Sequence, residues 1–151
     1  MLRLADYDIV FQEVPTETTL ALNLSECPHH CPGCHSPQLW TSLGEELTLP
    51  LLDSILETYP YVTCVALMGG DNDLDSIIKM AQAIRLRNKK VAWYTGMTSL
   101  PVDWPIDFFD FIKIGPYIEE LGGLKSPTTN QRFYRITDGK MEDCTSLFQR
   151  K

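Results

Sequence analysis

Val62-Thr63-Cys64-Val65-Ala66-Leu67-Met68-Gly69-Gly70-Asp71 (VTCVALMGGD) is the stretch on which the fold turns. Val62–Met68 is a continuous uncharged run closed by two glycines, as expected of a strand buried on both faces of a parallel sheet. Upstream, Thr18–Leu24 (TTLALNL) is β-branched and apolar and reads as an earlier strand. Leu49-Pro50 opens a helix carrying Leu51, Leu52, Ile55 and Leu56 on one face, ended by Tyr59-Pro60. Downstream, Leu74–Arg87 has helical periodicity through Ile77, Ile78, Ala81 and Ile84, with Arg85, Arg87, Lys89 and Lys90 near the end that favours cations. Val91–Tyr94 and Phe108–Ile114 (FFDFIKI) read as a third and a fourth strand, and Phe133–Ile136 as a further short one. Strand, loop and helix in repeated order predict an α/β parallel sheet with right-handed crossovers. Ligands of such sheets bind outside the carboxyl ends of the strands.

With 151 residues the chain is read as a single domain, residues 1–151, shorter than the roughly 250 residues typical of a closed eight-unit barrel. No internal repeat or low-complexity linker divides it. A net charge of −7 and a pI near 4.8 argue against nucleic acid as a partner, because a phosphate backbone calls for a basic surface. No apolar run reaches 18 residues, and Met1–Val10 (MLRLADYDIV) carries acids, so neither a membrane span nor a secretory signal is expected. The expected location is the cytoplasm.

Cys27, Cys31 and Cys34 stand as C-x3-C-x2-C in one short segment, CPHHCPGC, directly after the first strand. In a reducing compartment clustered thiols hold metal more often than they pair. A closed iron–sulfur cube normally takes four thiolates, so three leave one iron without a protein ligand and open to a small molecule. Pro28, Pro32 and Gly33 bend or restrict the backbone between the thiols. All three histidines, His29, His30 and His35, flank the same cysteines, which keeps a zinc site of three Cys and one His as an alternative, beside a chance cluster of thiols. Of the two remaining cysteines, Cys64 reads as a buried small hydrophobe, and Cys144 would be a fourth ligand only if the tail folded back.

The other candidate motifs fall at strand ends. Gly69-Gly70-Asp71 follows the second strand; two glycines let a backbone approach a ligand, and the acid suits an ammonium group. The alternative is a plain turn in which Asp71, Asn72 or Asp73 caps the next helix. Tyr94-Thr95-Gly96 ends the third strand, Gly115-Pro116-Tyr117 follows the fourth, and Asn130-Gln131-Arg132 precedes Phe133–Ile136. Each of these three is also readable as an ordinary terminus or turn.

Taken together, CPHHCPGC, Trp40, Gly44, GGD at 69–71, WYTG at 93–96, GPYIEEL at 115–121 and NQR at 130–132 resemble the radical S-adenosylmethionine superfamily. Within it they resemble the glycyl-radical activases of anaerobic ribonucleoside-triphosphate reductase, over roughly Leu20–Ile136. The chain departs from the usual pattern at Glu26, where a glycine is common, at Ser36, where an asparagine is, and at Asn72, where a proline is. The glycine-rich segment often found upstream of the first strand is replaced by Glu13–Glu17.

The resemblance implies a parallel-sheet, incomplete (open) βα barrel. It implies Cys27, Cys31 and Cys34 as ligands of a [4Fe–4S] cluster, with S-adenosylmethionine chelated at the fourth iron. Gly69, Gly70 and Asp71 would hold its amino group. Gly33, Cys34 and His35 would lie on the adenosyl side, and Tyr94, Thr95 and Gly96 would line the same cleft. Reductive cleavage would give methionine and a 5′-deoxyadenosyl radical, which would take hydrogen from a backbone glycine of the partner. That partner would be a glycyl-radical enzyme, the anaerobic ribonucleotide reductase catalytic subunit above all, with a flavodoxin as reductant. A short, open barrel would need a partner to cover its cleft, and Tyr117, Ile118 and the Trp104–Phe111 aromatics are candidates for contact, although core packing accounts for those aromatics equally well.

Overall fold

The computed structural model describes residues 2–11, 14, 16–25 and 44–148. The strands are β1 (Arg3–Val10), β2 (Thr19–Leu24), β3 (Glu45–Glu46), β4 (Cys64–Met68), β5 (Lys90–Tyr94), β6 (Phe111–Ile114), β7 (Arg132–Thr137) and β8 (Lys140–Asp143). The α-helices are α1 (Leu49–Thr58) and α2 (Leu74–Leu86). Among the described residues the strands form one sheet in the order β3-β1-β2-β4-β5-β6-β7-β8. The central run β2-β4-β5-β6 is parallel, and the flanking pairs on both sides are antiparallel.

Each helix begins where its sequence stops competing with it. Thr48 caps α1 by accepting from the Leu51 N–H at 3.2 Å, and Pro50 sits in the first turn, where its missing N–H costs nothing. Asp73 caps α2, accepting from the Ser76 N–H at 3.2 Å and from its hydroxyl at 2.7 Å. An Arg87–Asp53 ion pair ties the end of α2 to α1.

The pleat gives the sheet two unlike faces. Leu20, Leu22 and Leu24 of β2, Val65 and Leu67 of β4, Val91 and Trp93 of β5 and Ile112 of β6 share one core cluster with the apolar stripes of α1 and α2. Both helices therefore lie on the same face. Adjacent parallel strands in chain order, with their helices on one side, make the central sheet singly wound.

The opposite face carries Ala21, Ala66, Ala92 and Phe111 in register, and above them Asn23, Met68, Tyr94 and Lys113. Three alanines abreast keep this face shallower than the leucine-lined one. Val14, Cys64, Phe111, Phe133 and Cys144 form a second apolar cluster there. Below it, Thr16 and Glu17 line a pocket of about 390 Å³ with Lys90, Asp110, Phe111 and Arg135–Thr137. The turn before β2 thus closes the lower end of this face.

The elements differ from the sequence-based expectations in three respects. Strands β1, β3 and β8 extend the sheet beyond those read from the chain, and β7, which contains the expected Phe133–Ile136 run, pairs antiparallel to β6. The fourth strand starts at Phe111 rather than Phe108, because Ile106–Phe108 forms a 3₁₀ turn between Pro105 and Phe109. No α-helix joins β5 to β6: two prolines, Pro101 and Pro105, break that connection, so the strand–helix alternation is interrupted there. Its aromatics fill the space instead, with Trp104 stacked on Trp93 at 4.6 Å and on Phe109 at 5.6 Å. Core packing is what Trp104 and Phe109 do.

Candidate functional site

The cysteine motif, Cys27, Cys31 and Cys34, lies outside the described residues, as do Gly33 and His35 and the other two histidines. Ser25, directly after β2, donates its N–H to the Arg3 carbonyl at 3.0 Å. The Gly44 carbonyl accepts from Arg3 Nη2 at 2.7 Å, and Gly44 packs so closely on β1 that a Cβ there would lie 1.8 Å from the Leu4 carbonyl oxygen. Ser25 and Gly44, the described residues on either side of the motif, therefore both sit against Arg3 at one corner of the sheet, at the carboxyl end of β2.

Cys64 and Cys144 are placed apart from that corner. Cys64 is fully buried on β4, and burial, assisted by the nearby Glu17 charge, pushes its thiol far above the usual range. Cys144 is buried in the apolar cluster beside Phe133, at the far edge of the sheet from β2, with its thiol toward Glu142 at 3.6 Å. Among the described residues no three metal-ligating side chains converge.

Gly69-Gly70-Asp71 forms a turn fixed on several sides. The Gly69 N–H donates to the Tyr94 carbonyl at 2.9 Å, and its carbonyl accepts from Trp93 Nε1 at 2.8 Å. Both backbone groups of Gly69 thus have partners inside the protein. Gly70, with φ +83°, is pressed against the helix-side core, where a Cβ would come within 2.4 Å of Ile77 Cδ1 and 3.0 Å of Leu24 Cδ1. Its carbonyl accepts from the Asp73 N–H at 3.1 Å. Asp73, not Asp71, caps α2.

That leaves Asp71 for a different task. Its Oδ2 accepts from the Thr95 hydroxyl at 2.8 Å and from the Gly96 N–H at 3.0 Å, joining the loops that follow β4 and β5. Five of the six positions singled out at 69–71 and 94–96 are so linked: Gly69 to Tyr94, and Asp71 to Thr95 and Gly96. The Tyr94 ring lies on the shallow face, 6.1 Å from the Phe133 ring in an edge arrangement and 6.0 Å from the Lys113 ammonium.

The motifs after β6 and before β7 also meet. Gly115, with φ +103°, would bring a Cβ to 3.0 Å from Gln131 Cα and 3.3 Å from the Asn130 carbonyl oxygen. Asn130 Nδ2 donates to the Pro116 carbonyl at 3.1 Å, and Gln131 Nε2 reaches the Gly115 carbonyl at 3.4 Å. The rim thus runs from Ser25 past Asp71 and Thr95 to Gly115 and Asn130, all at the carboxyl ends of the parallel strands.

Sequence reasoning missed two polar groups on this face. Lys113 donates to the Thr95 carbonyl at 3.1 Å and the Gly115 carbonyl at 3.0 Å, capping the ends of β5 and β6. Its signal was a lysine in the apolar strand FIKI. Asn23 donates to Asp6 at 2.6 Å across β1 and β2, and its signal was the one polar side chain in TLALNL that cannot be β-branched.

Residues 17–122 match the family model of the 4Fe–4S single cluster domain, a span that covers most of the chain and encloses Cys27, Cys31, Cys34, Asp71 and Thr95. The chain belongs to the 4Fe–4S single cluster domain family. Comparison with curated proteins and with solved structures returned no match. For a 4Fe–4S single cluster domain the donor chemistry fits: three closely spaced thiols suit an iron–sulfur cube, whereas Cys64 is buried in the core, where desolvation disfavours the thiolate that a metal needs. No helix among the described residues is long and apolar enough to cross a membrane.

Proposed function

We propose that this 4Fe–4S protein is a radical S-adenosylmethionine activase, built as an incomplete, open βα barrel, that generates a glycyl radical on a partner enzyme. The partner we favour is the anaerobic ribonucleotide reductase, with a flavodoxin-type reductant, in the cytoplasm. The observation that carries this reading is the Asp71 carboxylate, held by Thr95 and Gly96 at the carboxyl rim one strand from the end of β2, where the chain enters the C-x3-C-x2-C segment. Neighbouring strands lie about 4.8 Å apart, so an acid in the turn just after β4 stands within reach of a small ligand bound beside the end of β2.

Cys27, Cys31 and Cys34 would hold the cluster, and the reduced cluster would supply the electron that cleaves the sulfonium S–C5′ bond of S-adenosylmethionine. The residues around it have separate tasks. Asp71 would pair with the ligand's ammonium, a charge-assisted contact of the stronger kind. The sequential order β2-β4-β5-β6, with both helices on one face, supports the open-barrel architecture.

Incubation of the reduced, cluster-loaded chain with S-adenosylmethionine and anaerobic ribonucleotide reductase tests the activase reading by electron paramagnetic resonance. A glycyl-radical signal on the reductase, dependent on both, supports it. Cleavage of S-adenosylmethionine without any radical on the reductase would redirect the reading to another substrate.

A further inference from the structure

We infer that Thr95 is a positioning residue that acts on S-adenosylmethionine through Asp71 rather than by lining the cleft itself; this rests on the function proposed above. Thr95 has no exposed surface, so it has no face to offer a ligand. Its hydroxyl is committed in both directions. As acceptor it takes the Met97 N–H at 3.1 Å, and as donor it gives its only proton to Asp71 Oδ2 at 2.8 Å. The backbone at this point is fixed too, since the Thr95 N–H donates to the Lys113 carbonyl and its own carbonyl accepts from Lys113 Nζ.

The Gly96 N–H adds a second donor to the same Asp71 oxygen at 3.0 Å. Two donors converging on one carboxylate oxygen fix the plane of the group and hold its charge at a set place on the rim. The turn that bears Asp71 is itself pinned by Trp93 and Ile77, so the carboxylate is located from both sides. A cationic group binding there would meet an acid that needs no reordering, which is the physical content of preorganisation.

The test is anaerobic calorimetric titration of S-adenosylmethionine into the cluster-loaded full chain, for wild type, Thr95→Val, Thr95→Ser, Asp71→Ala and the Asp71→Ala/Thr95→Val pair. Iron content and melting temperature are measured on the same samples. Thr95→Val is expected to weaken binding about tenfold or more with iron unchanged, as follows from losing a hydrogen bond to a charged group. Thr95→Ser is expected to restore affinity to within about threefold of wild type. With Asp71 gone, Thr95→Val should cost nothing further, because residues acting as one unit are not additive. Wild-type affinity in Thr95→Val, failure of Thr95→Ser to rescue, or additive losses in the pair would each overturn the inference. Should Thr95→Val fold poorly, Thr95→Ala in the same cycle carries the test. If wild type itself binds no S-adenosylmethionine, the proposed function falls, a result distinguishable because all proteins then fail alike.

Discussion

Alanine substitution of four glycines grades the geometry of the rim. At Gly123 the nearest atoms to an added Cβ lie at 3.6 and 3.9 Å, ordinary contact, so Gly123→Ala should change stability by no more than about 0.5 kcal/mol. Gly69, at φ +107°, meets nothing closer than 3.5 Å, so only the backbone strain counts, about 1–2 kcal/mol. Gly70 combines φ +83° with approaches of 2.4 Å to Ile77 Cδ1 and 3.0 Å to Leu24 Cδ1. Adding about 1–3 kcal/mol for overpacking the core gives about 2–5 kcal/mol for Gly70→Ala. Gly44 is the extreme case, because the atom 1.8 Å away is a backbone oxygen of β1, which cannot yield without loss of the β1–β3 pairing. The expected order of cost is Gly123, Gly69, Gly70, Gly44. Urea unfolding at fixed iron load, followed by the fluorescence of Trp93 and Trp104, reads the midpoints, with an unchanged slope required for the comparison. Gly70→Ala as stable as Gly123→Ala would refute the packing described around the Gly69–Asp71 turn.

The other expectations are more local. Asp73→Ala should lower stability by about 1 kcal/mol through loss of the α2 cap while leaving S-adenosylmethionine affinity unchanged; a drop in affinity equal to that of Asp71→Ala would contradict the division of labour between the two acids. Cys34→Ala should abolish iron incorporation and Cys64→Ala should retain it, by iron and sulfide analysis; equal loss in both would place the cluster elsewhere. Because burial raises the Cys64 thiol well above its usual range, raising the pH from about 7 to about 9 should leave native Cys64 unalkylated by iodoacetamide, checked by peptide mass spectrometry. Rapid labelling of Cys64 in folded protein would show that the core around β4 opens.

The parallel strands and both helices were readable because their apolar runs are long and their caps orthodox. The edges were less so, for physical reasons. β1 pairs with β2 on one side and meets the short β3 only at Arg3 and Leu4 on the other, and its Asp6-Tyr7-Asp8-Ile9 alternation carries the period-2 signal of a half-buried strand, weaker than a solid apolar run. Of the β7–β8 hairpin only the first strand was read, as Phe133–Ile136; β8 was signalled by Asp138-Gly139 alone, which adopt φ +51° and +75° as a two-residue hairpin turn requires, since its residues (KMED) are almost wholly polar. The connection between β5 and β6 has apolar content enough for a helix, but its prolines divert that content into ring stacking on Trp93.

At the site, the cysteine spacing and the glycine-acid turn were legible, whereas the partition of work between Asp71 and Asp73 was not. Three polar residues in a row can each cap a helix, and only the start of α2 at Leu74 decides that Asp73 does so. Lys113 itself, and the role of Thr95, were hidden for a similar reason. Their roles come from register, which sets Tyr94 beside Lys113 and brings the loop after β5 over Asp71, and register is a property of paired strands rather than of one segment.

The most direct test of the account is the cleavage of S-adenosylmethionine by the isolated chain. The protein is loaded anaerobically with iron and sulfide, reduced, mixed with S-adenosylmethionine, and assayed for 5′-deoxyadenosine and methionine. The account predicts both products in equal amounts in wild type, with neither formed by Cys34→Ala. A fully loaded, reduced 4Fe–4S cluster that leaves S-adenosylmethionine intact would contradict it.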